Sequence, residues 1–379
     1  MPFNFAPGRN NNRNQAAESK INPDNVSSLV PLWTITTGDG PGGARDDISA
    51  TPAVDGEYVY FPDWSGNLFK ADRRTLEVIW KRQISEYTGV SNDFACATPA
   101  IDGDLLIFGT QSGQLASAAH VVAVDKNSGD LVWATQADNY FDAVMALDWH
   151  TGEVKWSTIA IPFDVWTVGC LDLGLPPQNC PDPEGPDFDF GQAPMLIKAE
   201  KGKNKQELLG VGQKSGQFWA LNPDTGEVVW VTQVGPGGVV GGLMWGSAFD
   251  GDHIYTSSAN SERKPWVLAD GSSTNSGIWS ALDPLTGEII WQTANPTPFA
   301  QAGGAVSSAN GVVYACSQDD VGYMYAMDAD TGEILWSFAS GGACNAGAAV
   351  VNGMVYWGSG YDSFGGTGND KFYAFGLNQ

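Results

Sequence analysis

A closed β-propeller built from tandem four-stranded units is the fold this 379-residue chain predicts, and three observations predict it. An eleven-residue segment ending in tryptophan recurs six times. A shorter hairpin signal precedes most of the copies, and the two ends of the chain read as complementary parts of one unit. Self-similarity at a fixed period marks solenoids and propellers, and four antiparallel strands per period select the propeller.

The copies are Lys70 to Trp80, a worn version (KADRRTLEVIW), then Ala123 to Trp133 (AVDKNSGDLVW) and Ala146 to Trp156 (ALDWHTGEVKW). Ala220 to Trp230 (ALNPDTGEVVW), Ala281 to Trp291 (ALDPLTGEIIW) and Ala326 to Trp336 (AMDADTGEILW) complete the set. In each, an apolar run leads into Asp or Asn, whose side chain accepts backbone N–H groups in an Asx-turn. Thr/Ser-Gly follows and tolerates positive φ. A Val/Ile/Leu strand then ends on Trp, which is large enough to fill the gap between one sheet and the next. Turns at Val54-Asp55-Gly56, Ile101-Asp102-Gly103, Phe249-Asp250-Gly251 and Asn310-Gly311 supply the second hairpin of each unit.

Closure follows from the ends. The last unit stops at Gln379, after Lys371-Phe372-Tyr373-Ala374-Phe375, without its own Trp-bearing outer strand. Leu29-Val30-Pro31-Leu32-Trp33-Thr34 supplies that strand, which removes the free sheet edges. The expectation is one domain over residues 1–379 with a lead-in at 1–28 and a long excursion at 163–192, in about seven units. One unit is incomplete, because the 23 residues from Trp133 to Trp156 have room for a single hairpin.

Composition narrows function. With 43 acidic against 19 basic residues the net charge is −24, so a nucleic-acid backbone is repelled before contact. The start, MPFNFAPGRNNNRNQ, has no signal-peptide pattern, and no apolar run reaches membrane-spanning length. Five cysteines without Cys-x-x-Cys give no zinc site and no haem attachment. Cys170 and Cys180 bracket a Pro- and Gly-rich loop that a disulfide would restrain; the alternative is two free thiols. If the bridge forms, the compartment is oxidising and the protein extracytoplasmic, whether periplasmic, secreted or in an organelle lumen. Cys96, Cys316 and Cys344 read as small buried strand residues. The three histidines, His120, His150 and His253, read as surface or turn residues. The acidic loop Pro181 to Asp189 reads as solvated, since its carboxylates lack EF-hand spacing and it holds three prolines; the alternative is Ca²⁺ binding through Asp182, Glu184, Asp187 and Asp189.

The Ala-x-Asp-x-x-Thr-Gly-Glu-x-x-Trp repeat resembles the tryptophan-docking repeat of quinoprotein alcohol dehydrogenases, which depend on pyrroloquinoline quinone (PQQ). Several segments resemble their polyvinyl-alcohol-dehydrogenase-like branch. These are Ile21 to Val26, Tyr140-Phe141-Asp142, Asp164 to Cys170, Asp189 to Met195, Gln213-Lys214-Ser215-Gly216 and Ala259 to Lys264. The resemblance implies an eight-bladed PQQ-type propeller with PQQ and Ca²⁺ near its axis, a quinone that takes hydride from an alcohol, and an aspartate base.

Lys214 matches the family's basic residue against the quinone oxygens; its alternative is an ordinary turn lysine. Asp164 stands in the segment where the family carries Asp-x-Trp-Asp with the base as the second Asp. Thr167 occupies that second position here, which leaves Asp164 as candidate base or as a turn cap. Trp166 and Trp245 are candidates to border the cofactor, or else packing residues. No adjacent cysteine pair exists, and the short third unit falls where the family places that pair, its calcium ligands and its ring-stacking Trp. The expected function is a PQQ-dependent-type oxidoreductase of alcohol groups, on a small alcohol or polyol, with a degenerate cofactor site. The alternative is a non-catalytic propeller serving as scaffold or assembly subunit for a protein partner.

Overall fold

The computed structural model describes residues 53–376 apart from 64, 73, 76, 96–98, 111–118, 138–141, 171–179, 203, 352–353, 360, 362–365 and 369–371. The expected closing strand at Leu29 to Thr34 lies outside the described residues. Those described fall into two compact units, one of the chain up to 141 with 145–157, the other of 142–144 and 158 onward.

The first unit contains two antiparallel four-stranded sheets with sequential strand order. One consists of β1 (Ala53–Asp55), β2 (Tyr58–Pro62), β3 (Asn67–Asp72) and β4 (Val78–Gln83). A single helical turn, α1 (Ser85–Thr88), leads to β5 (Ala100–Asp102), β6 (Leu105–Gly109), β7 (His120–Asp125) and β8 (Leu131–Gln136). Next comes the short hairpin expected from the 23-residue spacing, β9 (Ala143–Leu147) with β10 (Val154–Ile159), a two-stranded sheet among the described residues.

The second unit carries β11 (Met195–Lys201), β12 (Asn204–Gly212), β13 (Gln217–Leu221) and β14 (Val228–Gln233) as one four-stranded sheet. Another joins β15 (Ala248–Phe249) and β16 (Ile254–Ser258) to β19 (Ile278–Leu282) and β20 (Ile289–Ala294), the small hairpin β17 (Trp266–Val267) and β18 (Ser273–Thr274) being inserted between. β21 (Ser307–Ala309), β22 (Val312–Cys316), β23 (Tyr323–Asp328) and β24 (Ile334–Ala339) form a third. β25 (Ala349–Val351), β26 (Met354–Gly358) and β27 (Phe372–Gly376) make a three-stranded sheet.

The repeat explains both the hairpins and the packing between sheets. Its Asp or Asn accepts two backbone N–H groups in every copy, as Asp125 does from Asn127 (2.8 Å) and Ser128 (3.0 Å) and Asn222 from Asp224 (2.8 Å) and Thr225 (3.2 Å). The indole of each docked Trp then donates to the fourth residue of the following copy. Trp80 donates to the Lys126 carbonyl (3.3 Å), Trp133 to Trp149 (3.2 Å), Trp230 to Pro284 (3.2 Å) and Trp291 to Ala329 (2.9 Å). The same rings lie flat on the repeat glycine, so a Cβ at Gly332 would stand 2.5 Å from the Trp291 ring. Gly332 also has φ +73°, a region that side chains disfavour, and the turn therefore requires glycine twice over. Two residues after Trp, a Thr hydroxyl reaches that glycine's carbonyl, in Thr135 to Gly152, Thr158 to Gly226, Thr232 to Gly287 and Thr293 to Gly332. Trp336 meets Phe375 edge-on at 5.1 Å instead and stays 38% exposed.

Apolar burial follows from this geometry. One core cluster fills the space between the sheet of Tyr255, Trp279 and Trp291 and the sheet of Val313, Tyr325 and Met327. A second does the same between Tyr60 and Leu68 on one side and Leu106 and Val122 on the other. Two cysteine expectations need correction: Cys316, at the end of β22, and Cys344 are disulfide-bonded rather than free small residues. His120 is also corrected, being buried at the start of β7 with its Nδ1 3.8 Å from the buried Asp93 carboxylate.

Candidate functional site around Lys214

The excursion between β10 and β11 is acidic by sequence: residues 157–197 hold six acidic and no basic residues. The expectation of a solvated loop is corrected at Asp187, which is buried, so its charge calls for a cation from elsewhere in the chain. The excursion first folds on itself. Asp164 is buried, and its carboxylate accepts the N–H groups of Asp187 (3.1 Å) and Phe188 (2.6 Å). Gly185 makes this closure possible, because a Cβ there would lie 2.5 Å from Asp164 Oδ1. Inside this closure the Cys170–Cys180 disulfide ties off a shorter loop.

Folded this way, the excursion presents Asp187 and Asp189 to the turn between β12 and β13. Lys214 Nζ donates to Asp187 Oδ1 at 3.0 Å and Asp189 Oδ2 at 2.8 Å. Its backbone N–H donates to the Asp189 carbonyl at 2.9 Å. Burial works against the Lys214 charge, yet the Asp189 and Asp187 carboxylates outweigh it and hold the ammonium above the usual lysine range. Burial pushes the Asp187 carboxyl above the usual carboxylate range, Lys214 opposes it and Asp189 adds to it. The two carboxylates differ in access: the Asp187 side chain is 6% exposed, that of Asp189 60%.

Trp245 comes up beside this group through the backbone. Gly191 bridges Met244 in parallel, and the Trp245 N–H donates to the Gly191 carbonyl at 3.1 Å. Trp245 takes φ +68°, unusual for a bulky residue, and leaves its ring half in solvent, edge-on to Tyr361 at 6.1 Å. Trp166 is half-buried in the excursion, and among the described residues nothing ties it to Lys214. Of the sequence candidates, then, Lys214 meets the excursion through its ammonium and backbone N–H and Trp245 through its backbone N–H, while Asp164 acts on the loop backbone. Sequence reasoning missed Asp187 and Asp189 as the partners of Lys214. The signal was the run of carboxylates without a base, which asks for one lysine.

The fold is that of the quinoprotein-type β-propellers. The quinohemoprotein alcohol dehydrogenase of Comamonas testosteroni superposes with a TM-score of 0.63 at 16% identity, over 86% of this chain and 65% of that one. The family profile PQQ_2, described as outer membrane protein assembly factor BamB, matches residues 30–135 and 274–371, more than half of the chain, and the chain belongs to this family. Its sequence relatives include polyvinyl alcohol dehydrogenases. One from Sphingopyxis sp. (strain 113P3) is 30% identical over 80% of this chain and 49% of its own length. Another, from Pseudomonas sp., is 33% identical over 58% of this chain and 36% of its own. The chain thus spans half or less of the length of these relatives.

The donors present suit one half of a quinone–calcium pair. Lys214 carries three ammonium protons, two of them engaged, beside the exposed Asp189 carboxylate. That combination fits a carbonyl oxygen and a hydroxyl. A calcium ion needs six to eight oxygens. Among the described residues the one grouping of three ligating side chains is Cys170, Cys180 and Glu184, whose two sulfurs are bonded to each other.

Proposed function

We propose that this chain is an oxidoreductase of alcohol groups of the PQQ-dependent type, with Lys214, Asp187 and Asp189 as its reactive centre and a degenerate ion site. One observation carries the reading: a nearly buried ammonium held between two carboxylates, one of them open to solvent. It is supported by the polyvinyl alcohol dehydrogenases among the sequence relatives. A bound PQQ would supply the hydride acceptor. The third Lys214 proton stabilises negative charge developing on an oxygen placed against it. Asp189, exposed and next to that charge, takes the hydroxyl proton of a small alcohol or polyol. This makes it a better base than Asp164, whose carboxylate is committed to two backbone amides. Asp187 keeps the ammonium oriented. The two disulfides favour an oxidising, extracytoplasmic compartment.

The test is dye-linked oxidation of secondary alcohols after loading with PQQ and Ca²⁺. Lys214→Ala should lower turnover about a hundredfold or more and Asp189→Asn by a comparable factor. Asp164→Asn, which keeps an acceptor for the loop, should retain most of it. Turnover that survives Lys214→Ala ends the reading.

A second reading is a non-catalytic assembly subunit, which fits the lack, among the described residues, of a carboxylate cluster suited to a divalent ion. A partner that copurifies in fixed stoichiometry, together with no quinone absorbance after loading, would decide for it.

A further inference from the structure

Next to Lys214 stands Gln213, fully buried and with every side-chain hydrogen-bonding group in use. Its Oε1 accepts from the Trp219 indole at 3.2 Å and from the Ser215 hydroxyl. An indole N–H only donates, so the amide can have one orientation, and Nε2 points the other way. There it meets Asp142, donating to Oδ1 at 2.8 Å and Oδ2 at 3.1 Å. Asp142 is itself buried. It immediately precedes the short hairpin β9–β10, with φ +47°, and its carbonyl accepts the Ala160 N–H at 3.0 Å.

We infer that Asp142 is a positioning residue: through Gln213 its carboxyl group holds the β12–β13 turn in the shape that presents Lys214 to Asp187 and Asp189. Gln213 links the two, since its own carbonyl accepts the Gly216 and Leu243 N–H groups, both at 3.0 Å, and so sets the turn's backbone. The inference rests on reading Lys214 as part of a reactive centre, and it can be tested without turnover.

The electrostatics give the test a signature. Burial pushes the Asp142 carboxyl up to about 7, hydrogen bonds from Gln213 and the Ile161 N–H oppose that, and the charges of Asp164 and Asp189 add to it. Lys214, on the turn itself, is paired with Asp187 and Asp189. Opening the turn admits water to Asp142, which then ionises in the ordinary carboxylate range. Raising the pH through about 7 therefore favours opening.

Hydrogen–deuterium exchange of residues 212–219, corrected for intrinsic rates, and acetylation of Lys214 relative to Lys198 read the turn directly. In the unaltered protein both should rise between pH 6 and 8.5. Asp142→Asn keeps an acceptor without a titrating proton and should hold both low at either pH. Asp142→Ala and Gln213→Leu should raise both about tenfold at pH 6, the equivalent of one lost hydrogen bond, with β21–β24 unchanged. A flat pH response in the unaltered protein, or wild-type exchange in Asp142→Ala, overturns the proposal; if Asp142→Ala does not fold, the Asn variant and the pH response still decide it. Absence of alcohol turnover would overturn only the catalytic reading, leaving the exchange result to stand.

Discussion

The tryptophan seams and the Lys214 cluster both bury polar groups, but they recruit the partners differently. At a seam, donor and acceptor belong to consecutive copies of one sequence, as Trp291 and Ala329 do, and the geometry recurs at Trp80, Trp133 and Trp230. Around Lys214 the partners come from separate, unrepeated stretches: Asp142 before the short hairpin, Asp187 and Asp189 in the excursion, Gln213 on a turn. Seams are redundant, so each is a local fastening. The cluster has one copy of each group, and Asp187 and Asp189 share a single cation, Lys214. Stability should therefore be distributed over the seams, and pH sensitivity concentrated in the cluster.

The largest effect should come from emptying a seam. Trp291→Ala removes a buried ring and leaves the Ala329 carbonyl without its donor, for a loss of about 4 kcal/mol or more. Chemical denaturation measures it. Gly332→Val should match it, because a side chain there collides with the same ring. If either variant unfolds at the wild-type midpoint, the seam is not a fastening.

Next in size is the Cys316–Cys344 bridge, which closes a loop with a sequence separation of 28. Replacing both by Ser should cost roughly 3 kcal/mol by loop entropy, independently of the Lys214 cluster. Alcohol turnover per folded molecule should not change.

The cluster supplies the pH effect. Asp142 titrates at about 7 in the folded chain against 3.8 ordinarily, so the folded state holds a proton that the unfolded state has lost. That contribution is fully present below about pH 4 and disappears as pH rises through 7. Asp142→Asn should flatten the fall in stability between those limits. A slope that persists unchanged in the variant assigns it to other groups, the first being Asp187, whose carboxyl is also raised.

How much of this could be read beforehand follows the same division. The Asx-turns, the docking Trp and the single hairpin between Trp133 and Trp156 were legible because each is fixed by residues within one period. A register shift recurs after the first residue of the repeat, as at Ala123/Val124 and Ala281/Leu282, and was not legible. No residue type announces it, since it arises from the pairing of two strands. Lys214 and Trp245 were named from resemblance alone. Asp187, Asp189, Gln213 and the partner of Cys316 were not, because their contacts bridge 25 to 71 residues without any repeating pattern.

The smallest effect tests the seams at the level of one hydrogen bond. Thr293 Oγ1 donates to the Gly332 carbonyl at 2.8 Å, and Thr232 does the same to Gly287 at 2.6 Å. Valine keeps the branched shape and β-preference of threonine while removing the donor, so each Thr→Val substitution should cost about 1 kcal/mol. The two sites share no partner, and the losses should add within about 0.5 kcal/mol. Equal, additive losses mean that the seams act as independent copies of one contact. A double variant that loses clearly more than the sum would mean that neighbouring seams brace each other, and the redundancy set against the Lys214 cluster would be smaller than the repeat implies.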